Sequence, residues 1–375
     1  MNDGVEGCTW AADHALHTDG KRTHWQLLVY DDSFSTAATM RPFLCAAVLI
    51  ITARNSSAQI VESVGNRALG MGGAYVAVAA DSTATWWNPG GLATGPYSDI
   101  SLGRSIADVD QNETSAAAGR DRVSWFAATA PVVGFSYYRL RITDIQGFGP
   151  TEQSSVNRQD TRAGVSMQSL SARQFGLTVV QSLLPGMHAG VTLKYVRGTV
   201  RVGAGDPSRS PSDLLDAGEE LDGGNAENRF DLDAGLMFVA GPVRLGAVMR
   251  NVLKPEFGTD VTPFVLARQT RVGAAIDTEQ SGGPPFIFSV DADVRTYATG
   301  TGDRRVVALG AERWLWTKRF GVRGGARFNT VGAKERAATG GASVAIRNGL
   351  YLEGYFVHGG SEAERGWGLG TRVSF

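Results

Sequence analysis

Side chains suited to acid–base, nucleophilic or metal chemistry are few in this 375-residue chain, which holds five histidines and two cysteines. Cys8, His14, His17 and His24 crowd near the start, but their spacing matches no standard ligand pattern, and no metal is expected. The other histidines, His188 and His358, fall at opposite ends of the strand arrangement read below, too far apart to work on one substrate. Asp291 and Asp293 share one strand face, the ordinary placing of lining carboxylates. No enzyme and no cofactor are expected. What the chain offers instead is aromatic and cationic. Tyr75, Trp86, Trp87 and Asn88 lie in one compact stretch, Tyr137 and Tyr138 adjoin further on, and Arg295, Arg323 and Arg327 punctuate later strands. Aromatic faces with guanidinium counter-charges suit an apolar molecule carrying a carboxylate. Residue by residue, packing and lumen lining are the simpler roles for the same groups.

The aromatic stretch runs from Asn66 to Ala93 and contains Gly70, Gly72, Gly73, Gly90 and Gly91, a small-residue run from Ala74 to Ala80, and an Asn88-Pro89 turn. Glycine permits close backbone approach and positive φ, and Asn-Pro favours a turn. The stretch reads as a compact plug that must fit inside something.

The rest of the chain supplies the container. In Phe286 to Thr296, Phe286, Phe288, Val290, Ala292 and Val294 fall on one face, and Ser289, Asp291, Asp293 and Arg295 on the other. Phe320, Val322, Ala326 and Phe328 alternate in the same way with Arg319, Arg323 and Arg327. Strands are expected near 97–104, 122–130, 131–141, 172–182, 187–201, 227–239, 243–251, 267–277, 286–296, 304–314, 319–329, 337–346, 350–358 and 366–375. These are fourteen segments, an even number, of lengths that cross a bilayer at a tilt. Long polar gaps at 105–121, 142–171, 202–226 and 252–266 alternate with tight joints at Ala130-Pro131, 183–186 and 240–242. Thr278 to Pro285 is longer than that rhythm asks. Alternating loop length is a habit of outer-membrane barrels, with long loops outside and short turns in the periplasm. The fold class expected is all-β: a transmembrane antiparallel barrel of about fourteen strands, apolar face to lipid and charged face to the lumen, with an N-terminal hatch inside. Both ends of the barrel would face the periplasm. A net charge of −1 gives no global attraction to nucleic acid, and none is expected as a partner.

Upstream, Met40-Arg41-Pro42 leads into the apolar run Phe43 to Ala53 and then Ser56-Ser57-Ala58, the layout of a secretory signal with cleavage near Ala58. The domains expected are an unstructured extension over 1–39 from a start chosen too far upstream, a signal peptide over 40–58, the hatch over 59–96 and the barrel over 97–375. Both cysteines, Cys8 and Cys45, would be absent from the mature chain.

With that frame, Arg67-Ala68-Leu69-Gly70-Met71-Gly72-Gly73-Ala74-Tyr75-Val76-Ala77, then Asp81, then Trp86-Trp87-Asn88-Pro89-Gly90-Gly91-Leu92, resembles the N-terminal signature of the FadL/PorV-like outer-membrane barrels. Gly90 replaces the usual alanine, and the paired tryptophans stand where paired tyrosine is common. The last strand, with Gly370, Val373 and a terminal Phe375, resembles the signal read by the outer-membrane assembly machinery, although Gly368 stands where a polar residue is usual. The resemblance implies location in the bacterial outer membrane, contact with its lipid, and FadL-like uptake of a hydrophobic small molecule, which in that branch leaves laterally into the membrane. Tyr75, Trp86, Trp87, Asn88, Arg295, Arg323 and Arg327 would then line the ligand site. The alternative is a PorV-like partner or shuttle in protein secretion, without small-molecule transport; a related branch is associated with conjugal transfer. Mass determination of the protein isolated from membranes is expected to place its N-terminus at Gln59; an intact residue 40–58 segment would overturn the export reading.

Overall fold

The computed structural model describes residues 58–110, 118–147, 165–259, 262–299, 302–332, 334–360 and 364–375. The extension expected over 1–39, and the signal segment over 40–58 up to its final residue, lie outside the described residues.

Fourteen antiparallel strands close into one ring. In chain order they are β1 Asp99–Asp110, β2 Ala118–Ala130, β3 Val133–Gly147, β4 Val165–Leu184, β5 Met187–Gly205, β6 Ala226–Ala240, β7 Val243–Arg250, β8 Gln269–Asp277, β9 Phe286–Asp293, β10 Val306–Leu315, β11 Phe320–Asn329, β12 Arg336–Arg347, β13 Leu350–Gly359 and β14 Arg365–Ser374. Each pairs with its successor, and β14 pairs with β1 from Arg365↔Asp108 to Ser374↔Asp99. Full closure removes the open edges that a flat sheet would expose. The pairing slips only between Ser182 and Leu184 and between Ala345 and Arg347.

The period-2 pattern decides which way each side chain points. Ser289, Asp291 and Asp293 are buried inside, while Phe288 and Val290 are exposed outside. Arg323 and Arg327 point in and Val322 points out. Over the middle of the barrel the outward side chains are apolar and the buried charges point inward, which suits a lipid surround. No described helix is long and apolar enough to cross a membrane.

Two expected loops turn out differently. β3 continues to Gly147 and β4 begins at Val165, well into the gap expected over 142–171, and β1 continues to Asp110. There Thr143, Ser169 and Ser171 share the outward face with Ile145, Val165 and Met167, so the apolar alternation is broken while backbone pairing goes on. The gap at 252–266 carries a hairpin, Glu256–Thr259 with Thr262–Leu266, that folds inward. It buries Phe257 and Phe264, and its second strand pairs in parallel with Ala58–Gln59. The long joint after β8 is a 3₁₀ turn, Thr278–Ser281, whose start is capped by the Asp277 carboxylate.

The hatch fills the lumen. It comprises helix α1 Asn66–Gly70, a glycine turn, helix α2 Ala84–Trp87 and a 3₁₀ segment Pro89–Thr94. Gly72 and Gly73 adopt φ of 70° and 81°, the left-handed region that a side chain resists. The wall makes room with glycines of its own. A Cβ on Gly190 would lie 2.4 Å from the Pro89 carbonyl carbon, one on Gly235 2.2 Å from Asn88 Oδ1, and one on Gly325 2.3 Å from the Met71 carbonyl carbon. Because backbone stands in the way, a Gly190→Leu variant is expected to lose about 3 kcal/mol or more of hatch docking. A lower unfolding temperature, with protease cutting within 59–96 and the barrel left intact, is the expected readout; an unchanged temperature and an uncut hatch would refute the docking.

Candidate functional site at the hatch

Arg67, on α1, is the centre of the hatch's attachment. Its Nε and Nη2 donate to the Glu312 carboxylate of β10 at 2.8 and 2.6 Å, and its Nη1 donates to the Tyr75 hydroxyl at 3.0 Å. That hydroxyl in turn donates to Asp81 at 2.5 Å. From Glu312 the charge continues around the wall. Arg323 of β11 donates to Glu312 at 2.8 Å and to Ser343 of β12. Ser343 donates to Glu353 of β13 at 2.9 Å, and Arg372 of β14 reaches Glu353 at 3.1 Å and Asp99 of β1 at 3.4 Å. The chain returns to the hatch where the Ser82 amide donates to Asp99 at 2.8 Å.

The opposite side is held by different means. Asp291 of β9 accepts the amides of Tyr75 and Val76, each at 2.8 Å. Glu62 pairs with Arg271 of β8 and with Arg304 at 2.7 Å, while Arg271 also reaches Asp293 at 2.9 Å. Asn88 Nδ2 donates to the carbonyls of Val76 and of Leu236 on β6, at 2.8 and 2.9 Å, while its Oδ1 caps Gly90. Thr85 shares a 2.7 Å hydrogen bond with the Tyr138 hydroxyl of β3.

This geometry places each expected site residue. Tyr75 and Trp87 pack edge-on at 6.2 Å, and Trp87 Nε1 donates to the Val64 carbonyl at 2.8 Å. Trp86 packs on Tyr138 at 4.9 Å and lies under the Arg250 guanidinium at 5.0 Å. Asn88 is a clasp between hatch and wall. Arg323 is engaged in the charge chain, and Arg327 pairs with Glu364 at 2.9 Å. Arg295 is not on the lumen wall as expected: β9 ends at Asp293, and the exposed Arg295 bonds the Arg268 carbonyl in the connection beyond. Tyr137 points outward, beside Phe175. Sequence reasoning missed Arg67, Asp81, Glu312 and Glu353 as a unit. Arg67 and Asp81 belong to the hatch signature, but their wall partners lie hundreds of residues away.

The voids beside the hatch are small. Those bordering Trp86, Glu62 and Arg327 measure about 10, 50 and 40 Å³. A cavity that admits benzene is on the order of 150 Å³. The arrangement is therefore mechanical, and it seats a plug by charge.

Burial alone would raise the Asp81 carboxyl, but Arg67 and then Arg372 outweigh it and leave it below the usual aspartate value of 3.8. Glu62, likewise raised by burial, is pulled below its usual 4.5 by Arg271 and Arg304. Burial, with Asp81 adjacent, holds the Tyr75 hydroxyl protonated far above its usual range despite the Arg67 charge. Carboxyls depressed in the folded state stabilise it above their unfolded values, and that stabilisation is lost as pH falls through the folded ones. Hatch protection from protease is therefore expected to persist down to about pH 4 and to fail only in stronger acid. Asp81→Asn should weaken protection at neutral pH and flatten the acid limb; an unchanged profile would separate Asp81 from hatch seating.

A protein-family model described as F plasmid transfer operon, TraF, protein matches residues 52–293, more than half of the chain. No curated protein matches by sequence. Among solved structures, the CymD monoaromatic hydrocarbon channel is 13% identical, with 84% of this chain and 98% of that one covered and a TM-score of 0.55. The Ralstonia pickettii toluene transporter TbuX is 14% identical over 84% and 99%, also at 0.55. A Pseudomonas aeruginosa FadL homologue is 9% identical over 85% and 100%, again at 0.55. At such identities the likeness is one of fold: this chain shares the barrel architecture of those structures.

Proposed function

The chain belongs to the family of the F plasmid transfer operon protein TraF, and from that premise we propose an outer-membrane barrel that passes hydrophobic small molecules when its hatch moves. The observation that carries this reading is the closed ring of fourteen strands, apolar outside and charged inside, around a separately folded N-terminal plug. The long connections face outward, and the two chain ends of the barrel face the periplasm. The seam between the ends is completed by paired backbone bonds of Ser98 and Phe375, which leaves the Phe375 side chain exposed for the assembly machinery. The fold's neighbours named above are hydrocarbon and toluene transporters, which supports a transport role over an enzymatic one.

With the hatch seated there is no room for a ligand beside Trp86. Displacing it bares Tyr75, Trp86, Trp87 and Asn88 on the plug and Arg323 and Arg327 on the wall. Those residues meet a ligand in the displaced state, and Arg295 stands at the long-loop mouth to receive a carboxylate.

A second reading, a non-transporting partner in secretion or transfer, is favoured by one observation. The ring is paired from strand to strand without a gap, and the hatch is bonded to it on every side. One experiment separates the two. Ser82 of the hatch and Ser101 of β1 bring their hydroxyls to 2.8 Å of each other. Cysteines at both positions, in a mature chain starting at Gln59 and lacking others, can lock the hatch. Uptake of a radiolabelled aromatic hydrocarbon or fatty acid into cells is expected to fall when the pair is oxidised and to return on reduction. Uptake that ignores the lock would overturn hatch gating, and no uptake in either state would favour the partner reading.

A further inference from the structure

The outer wall of β1 to β5 carries an ordered layering that transport does not explain. One register row reads, on consecutive strands, Leu102, Phe126, Tyr137, Phe175 and Tyr195, continuing to Phe230 of β6. One side-chain step toward the long-loop end, the next outward row reads Arg104, Ser124, Arg139, Arg173 and Arg197, then Asn228. A further step brings Ile106, Arg122 and Arg141. Above these, helix α3 Pro211–Glu219 lies on the outer face and buries Ile145, Val165 and Met167 under Leu214 and Leu215.

Like charges directly opposite on neighbouring strands destabilise a sheet, and Arg139, Arg173 and Arg197 are directly opposite one another. One carboxylate answers this group from within the described residues: Glu219 of α3, 2.8 Å from Arg122. Arg104, Arg139, Arg173 and Arg197 are exposed and engage no acidic residue there. Arg104, Arg122, Ser124, Arg139 and Arg141 line a cleft of about 180 Å³. Directly below it, Phe126, Phe135, Tyr137, Phe175, Leu177 and Leu193 line an apolar groove of about 620 Å³. The order along the strand axis is therefore apolar groove, aromatic row, arginine cleft, polar helix. An aromatic row marks the level where hydrocarbon gives way to headgroups, and guanidinium forks bind phosphate.

We propose that this face is a binding site for a membrane lipid bearing phosphomonoester groups. The phosphates occupy the arginine cleft, and acyl chains run down the aromatic groove. Charge complementarity selects the occupant: the row Arg104, Arg139, Arg173 and Arg197, without an acidic partner among the described residues, sits at headgroup height, on the side of the barrel whose strands rise furthest above the apolar band. The inference rests on the reading of the chain as an outer-membrane barrel.

The test uses the full-length chain extracted from membranes in mild detergent and native mass spectrometry with lipid A as the probe. Bisphosphorylated lipid A is compared with the same lipid A after phosphatase treatment, and with inorganic phosphate as competitor. The wild type is expected to retain the phosphorylated form at least about tenfold better, and Arg139→Ala/Arg173→Ala/Arg197→Ala to abolish the difference. The corresponding lysine variant, which keeps charge but loses the bidentate fork, should fall between them. Heat-modified gel mobility verifies that each variant has closed its barrel. Equal retention of the two lipids, or an unchanged triple alanine variant with a closed barrel, overturns the site. Full displacement by millimolar inorganic phosphate overturns the lipid assignment in favour of a free-anion site. Fractionation of the wild type away from the outer membrane would instead sink the membrane reading beneath both proposals.

Discussion

A buried chain of charge holds the molecule together across its weakest joint. Six neighbouring strands, β10 to β14 and β1, contribute Glu312, Arg323, Ser343, Glu353, Arg372 and Asp99, and the hatch joins at Arg67 and again at Ser82. A ring of fourteen strands encloses more space than its wall side chains can fill, so a separate segment must fill it. On one side that segment packs against apolar residues of the inner wall, Trp125, Tyr138, Leu140, Ile142 and Val196 among them. Around β8 to β14 the inner face is charged, polar or small, and there position is set by ion pairs and hydrogen bonds. Buried ion pairs contribute little net stability, but removing one partner leaves the other desolvated and costs about 3–5 kcal/mol. The network therefore fixes position: the hatch has one site at which every charge is answered.

The same constraint explains the small residues. Charged side chains can span the hatch–wall gap in only part of the circumference; elsewhere backbone lies on backbone. Gly190, Gly235 and Gly325 on the wall meet Pro89, Asn88 and Met71 on the hatch. The glycines of the hatch and the glycines of the wall answer the same need from two sides. Lys194, held by Asp231 and Asp233 at 2.6 Å each, offsets carboxylates on the inner wall near the apolar part of the hatch. Trp86 packs there against Tyr138, under the Arg250 guanidinium.

Much of this was legible before the structure. Period-2 alternation is a local property, so Phe288 and Val290 against Asp291 and Asp293 revealed both the strand and its facing. The fourteen segments, the short turns and the hatch stretch followed from such local signals. Three things did not. The upper halves of β3 and β4 lack apolar alternation because they rise beyond the aromatic row, so residues near Asp144 and Gln168 read as loop although they are paired. The hairpin at Glu256–Leu266 is short and lacks a regular alternation, so its apolar residues Phe257, Phe264 and Leu266 did not by themselves show that it folds inward. The partners of Arg67 are set by barrel closure, which brings Glu312 to it across 245 residues. Arg295 shows the converse failure: its parity was right for the lumen, but the strand ended two residues before it.

The wall is also asymmetric, and the asymmetry has a physical source. β4 and β5 run to 20 and 19 residues, whereas β7 and β9 have eight each. On the low side the mouth is closed by connections that fold over it, with the 256–266 hairpin reaching in and Arg304 answering Glu62 at the rim. On the high side the strands themselves form the rim, and α3 leans on their outer surface instead of covering the mouth. A strand that leaves the bilayer still needs a partner for every outward side chain, and there the choice is water, headgroups or another element of the same chain. Helix α3 takes the top of that surface, where Ile145 and Met167 are apolar. The arginine rows below it have no such cover from the described residues, and on the lipid-binding proposal they meet headgroups, with the aromatic row below them at the level where lipid chains begin. One alternating pattern thus serves two solvents along a single strand, and the identity of the outward residue at each step records which solvent it meets.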